Sequence, residues 1–176
     1  MLPKREATVR WPPAAPSATC LSSCHAFPDR RPRRGHSCRQ RVYCPHDLHL
    51  DRRAATLDTQ LSVWEARHLS VVRLAYGAHV EVDAGESPDL LLLMRCTAGE
   101  GIVCQGRNQS TWSLGLTIPV SVDRFTWYDF GASFEQTTFL LDTTALEACC
   151  SSFTGHPLDD RLKFDMVPFS TEFERT

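Results

Sequence analysis

No apolar run in this chain approaches the roughly 18 residues that a membrane-crossing helix needs. The longest, Leu90–Met94, has the length of a strand. The N-terminus lacks the continuous apolar segment of a secretory signal, so a cytoplasmic location without a membrane partner is the expectation. No Gly-x-Ser-x-Gly turn is present to expose a nucleophilic serine at the top of a sheet. No internal repeat is visible. The body of the chain is short of basic residues: beyond residue 47 it holds ten Lys/Arg against eighteen Asp/Glu. Neutralising phosphates takes clustered Lys/Arg, so that part offers no DNA-binding surface.

Proline, cysteine and basic charge are plentiful at the other end. Residues 1–47 carry nine Lys/Arg against three Asp/Glu, a balance hidden within the overall charge of -2. Pro3, Pro12, Pro13, Pro16, Pro28 and Pro32 interrupt any helix or sheet, and Arg30, Arg31, Arg33 and Arg34 form a basic run. Without apolar periodicity the segment has too little surface to bury against its ordering entropy. Residues 1–38 are therefore expected to be a disordered basic head, or the product of a wrong start site or a frameshift. The eight cysteines fit reduced thiols, four in the head and four expected to be buried in the body.

From about Arg39 the pattern becomes that of a β-protein. Leu61–Glu65 alternates apolar and polar residues, and Leu69–Tyr76 does so again with Val72, Leu74 and Tyr76 on one face. Gly77 marks a turn, and Val80 and Val82 continue on a further strand. Leu90–Cys96 is apolar on both faces, as a central strand is. Ile102–Cys104, Leu116–Ile118 (stopped by Pro119), Phe125–Tyr128 and Thr137–Leu141 complete about eight short strands. That spacing predicts a sandwich or barrel. One helix is expected after them. Thr144 and Glu147 have capping-box spacing, Leu146, Cys149, Cys150 and Phe153 share a face, and Gly155 followed by Pro157 ends it.

Several of these pieces, in order, resemble the N-terminal effector-binding half of AraC-type transcriptional regulators. They are Tyr43-Cys-Pro-His46 before the first strands, the Leu69–Gly77 strand ending in Tyr-Gly, and Leu91-Leu-Leu-Met94 followed by Gly99. The short Gly115–Pro119 strand follows, and then Phe139–Asp142 with Leu146-Glu147 and Phe153-Thr-Gly155-His-Pro157-Leu158. The similarity spans roughly Arg41 to Phe169. It implies a mainly β, cupin-like barrel or jelly-roll over residues 39–169 with one C-terminal amphipathic helix. It implies a domain that senses a small-molecule effector of unknown identity and forms a homodimer. DNA would be contacted only through a helix-turn-helix domain that this chain does not contain, residues 170–176 reading as a truncated tail.

A ligand pocket in such a fold is lined by alternate strand residues with a few orienting polar groups. The candidates are Arg73, Tyr76, Arg95, Trp112 and Trp127. An inward arginine would call for an anionic effector, since an unpaired buried charge is costly; the bland alternative leaves each arginine in solvent and each aromatic in the core. No catalytic residue, cofactor or metal is expected. Cys20, Cys24, His25, His36, Cys38, Cys44 and His46 are ligand types, but their spacing fits no common zinc motif. His46 with His49, and His79 with Glu81, do not supply the His-x-His pair and later Glu of a metal-dependent cupin enzyme. Such an enzyme, and a non-functional truncated regulator fragment, remain the alternatives to a sensor domain.

Overall fold

The computed structural model describes residues 24–25, 46–50 and 57–170, and eleven strands and one helix lie among them. The rest of the basic head, with most of the cysteine–histidine set, lies outside the described residues, as does the tail beyond residue 170. The strands are β1 (Cys24–His25), β2 (His46–Leu50), β3 (Gln60–Ala66), β4 (Leu69–Ala75), β5 (Val80–Ala84) and β6 (Leu90–Ala98). They continue as β7 (Glu100–Gln105), β8 (Asn108–Ser113), β9 (Thr117–Ser121), β10 (Thr126–Phe130) and β11 (Glu135–Asp142), and α1 spans Thr143–Thr154.

Two antiparallel sheets form, one in the order β1-β3-β4-β11-β6-β9 and the other β2-β5-β10-β7-β8. Their inner faces meet in one core that joins Val72, Leu92, Met94, Ile118 and Val120 of the first sheet to Val80, Val82, Val103, Tyr128 and Phe130 of the second. The mainly β architecture with a single helix is the one the sequence pattern predicts. After the β3–β4 hairpin the chain crosses between sheets at almost every connection, and glycine makes the sharpest crossings. Gly77, between β4 and β5, has φ +69°, and a Cβ there would stand 2.7 Å from the Asp58 carbonyl oxygen. Gly99, between β6 and β7, has φ +70° with the Ser133 carbonyl oxygen 2.9 Å from the Cβ position. Only a residue without a Cβ takes both the left-handed backbone and the close approach.

Four local expectations are corrected. Pro119 does not stop its strand: it sits inside β9, paired with Leu93. β9 is an edge strand, where the missing N–H removes no ladder bond. The helix begins earlier than the capping box implied, because Asp142 is its N-cap and its carboxylate accepts from the Ala145 N–H at 3.0 Å. Glu147 does not reach back to Thr144; its carboxylate accepts from the Leu162 N–H in the segment that follows the helix. The supposed buried face of α1 is largely in solvent, with Phe153 93% exposed and Cys149 exposed. Gly155 does cap the C-terminus, at φ 79° with its N–H on the Ser151 carbonyl. Of the four body cysteines only Cys96 is buried, and all four are free thiols.

β2 and β8 were absent from the pattern because both are polar edge strands. Of β2 only Leu48 is buried, and of β8 only Trp112.

Candidate functional site

Alternation along β4, β5, β6, β10 and β11 sends every second side chain into the space between the sheets. Near one end those side chains do not fill it. A small cavity, open to solvent at its mouth, is lined by Leu74, Tyr76, Val82, Ala84, Leu92, Met94, Tyr128, Phe130 and Gln136. His46, on the edge strand β2 opposite Ala84, completes the wall.

Most of this wall is apolar, and its aromatic part is ordered by ring contacts. Phe130 stacks on Tyr76 at 5.9 Å and on Tyr128 at 5.5 Å between centroids. Behind it Phe134 stacks at 4.6 Å, and Trp112 meets Phe130 and Phe134 edge-on. Gly101 makes room for this cluster: a Cβ there would lie 2.9 Å from the Phe134 ring.

The polar groups of the wall are few. Burial pushes the Tyr76 hydroxyl well above the ordinary tyrosine range, so it stays protonated. Gln136 is 2% exposed, and its Oε1 has no hydrogen-bond partner among the described residues. A buried amide oxygen left without a donor costs about 1–3 kcal/mol. Among the described residues no Lys, Arg, Asp or Glu lines the cavity.

The five residues singled out in the sequence are not brought together. Tyr76 lines the cavity. Trp112 is fully buried, but in the packed aromatic cluster behind Phe130. Arg73 is on the outer face of the first sheet, 69% exposed, 3.3 Å from Glu135. Arg95 shares that outer face and donates to Thr117 Oγ1 at 3.4 Å. Trp127, between buried Thr126 and Tyr128, faces outward from the second sheet beside Asp83 and Cys104. Gln136, Tyr128, Phe130 and Met94 were not singled out. The one signal for Gln136 was its polarity at an inward position of β11, which Thr138 shares.

The histidines also separate. His46 and His49 are an odd number of residues apart, so they face opposite sides of β2. His49 Nε2 lies 2.8 Å from Asp83, and His79 Nε2 lies 2.7 Å from Asp129. Among the described residues no three His, Cys, Asp or Glu side chains are grouped to hold a metal ion. No helix among them is long and apolar enough to cross a membrane.

Comparison with known proteins bears on this geometry. Residues 36–173 match the family model of the AraC-binding-like domain. None of the curated protein sequences compared with the chain matches it. Among solved structures, the AraC-like transcriptional activator CuxR superposes with a TM-score of 0.58 at 12% identity, over 74% of this chain and 48% of the activator. The chain thus spans about half the length of that protein. The Rru_A2000 cupin-2 domain from Rhodospirillum rubrum matches with a TM-score of 0.40 at 13% identity, over 82% and 88% of the two chains. The Schizosaccharomyces pombe Cnp3 cupin domain gives 0.44 at 9% identity, over 60% and 79%.

Proposed function

Because the chain belongs to the AraC-binding-like domain family over residues 36–173, we propose that it is the effector-sensing domain of an AraC-type transcription regulator. The sensing unit is residues 39–169, and the effector site is the inter-sheet cavity, with Tyr76 and Gln136 as its orienting polar groups. The observation that carries this reading is the buried Gln136 Oε1, unpartnered among the described residues, in a cavity with mostly apolar walls. Such a site has a use for a ligand that the protein itself does not supply.

The role is regulatory and not enzymatic. An effector acts here by binding one conformation more tightly than another, which shifts the population presented to a DNA-binding domain outside this chain. Self-association into a homodimer and a cytoplasmic location belong to the same reading.

A thermal-shift screen of the purified chain against small organic acids, amines, aromatics and sugars tests it. A ligand specific to the folded state stabilises by about 2.7 kcal/mol at a hundredfold excess over its Kd. A reproducible rise in Tm for one chemical class is expected. A well-folded chain that responds to none of them would overturn the sensor role.

A further inference from the structure

We propose that the cavity takes an uncharged ring compound bearing a hydroxyl, which donates its proton to Gln136 Oε1 while the ring lies against Tyr76, Tyr128 and Phe130. The inference rests on the reading of the cavity as the effector site and narrows it to a ligand class.

Three features of the wall select that class. The first is charge. Among the described residues no Lys, Arg, Asp or Glu side chain reaches the cavity, and the two mid-strand arginines that would have met a carboxylate point to the outer face instead. Among the described residues His46 is the one wall side chain that could face a carboxylate, and an ammonium would meet no anion there, so charged effectors are disfavoured.

The second feature is shape and surface. Phe130 stacks at interplanar angles of 22° and 21° on Tyr76 and Tyr128. All three rings line the cavity, with Leu74, Val82, Leu92 and Met94 making up much of the remainder. Such walls favour a flat apolar body over a polyol, whose many hydroxyls would outnumber the polar groups available to them.

The third is the polar demand at Gln136. Gln136 is 2% exposed, on the inward face of β11, and its Oε1 accepts from nothing among the described residues. An amide oxygen can only accept, so the ligand must present a donor there. A hydroxyl does so while remaining neutral.

Calorimetry on the full chain with four probes separates these features. p-Cresol has the ring and the donor, 4-methylanisole keeps the oxygen but loses the proton, toluene lacks both, and 4-methylbenzoate carries a charge. p-Cresol is expected to bind, with toluene and 4-methylanisole about tenfold weaker, the size of one neutral hydrogen bond to a buried group. 4-Methylbenzoate is expected to be weaker still. The Met94 methyl, one of three methionine methyls in the chain, marks the location: its resonance shifts with p-cresol. In Gln136→Leu, p-cresol and toluene bind alike.

Equal binding of p-cresol and toluene to the unsubstituted chain would overturn the hydrogen-bond assignment without any variant. Preference for 4-methylbenzoate, or binding without a Met94 shift, would overturn the ligand class. If none of the four binds but a sugar or amine stabilises the chain and shifts Met94, the class falls and the sensor reading stands. If no compound of either set binds, both fall.

Discussion

Trp112 and Arg73 show how differently two residues proposed for the same role contribute. Trp112 is fully buried against Phe130 and Phe134, with its ring N–H unpartnered among the described residues. Trp112→Ala is expected to destabilise by about 3–5 kcal/mol through lost burial and a cavity. Trp112→Phe should cost less, because it also removes the buried donor. Arg73 pairs with Glu135 in solvent, at 69% and 41% exposure. Arg73→Ala is therefore expected to change stability by less than about 1 kcal/mol, as exposed pairs do. Urea unfolding of the three variants checks the order. Alternation in β4 and β10 separated the two faces of each strand, yet not which face met the core for residues such as Trp127. That choice is made by the opposing sheet.

At the scale of elements, α1 gives the clearest test, because two neighbouring residues compete for one role. Both Asp142 and Thr144 are good N-cap types. The structure uses Asp142, whose carboxylate accepts from the Ala145 N–H, since β11 runs through Asp142 and hands the chain directly into the helix. Asp142→Ala is expected to lower stability by about 0.5–2 kcal/mol and to reduce helical circular dichroism. Thr144→Ala should be neutral or slightly favourable. An equal loss for both would mean that the capping box operates in solution. The helical period of Leu146, Cys149, Cys150 and Phe153 correctly marked a helix, but periodicity does not reveal whether a partner covers the face. Pro119 is the same lesson in a strand. Its effect depends on whether its N–H side faces a ladder partner, and β9, as an edge strand, has a strand on one side only.

For the whole molecule, the groups whose ionisation folding opposes lie on the alkaline side. Burial raises Tyr76 above its ordinary value of 10.0 and Cys96 above 9.0. The folded chain keeps these protons at a pH where the unfolded chain has released them. The unfolded state then binds fewer protons, and stability falls as pH rises. Their contribution is intact below about pH 9 and is lost above it. Beyond pH 10 Tyr76 alone adds a slope of about 1.4 kcal/mol per pH unit. Urea midpoints between pH 7 and pH 11 should fall accordingly, and Tyr76→Phe should flatten the upper part. An unchanged slope in that variant would mean that Tyr76 is not what folding protects.

The sequence by itself determined the strand periodicity, the glycine crossings, the position of the single helix and the family to which the order of these pieces belongs. Each is written in local chemistry: alternation for strands, left-handed glycines for turns, a 3.6-residue period closed by Gly155. Only the tertiary structure decided which residues share a cavity. Tyr76 follows directly on β4, Met94, Tyr128 and Gln136 come from three strands in two sheets, and their meeting depends on register between strands far apart in the chain. The polar edge strands β2 and β8 were set the same way, by pairing with β5 and β7 rather than by apolar patterns of their own. Pairing is a relation between segments, so no single segment carries it.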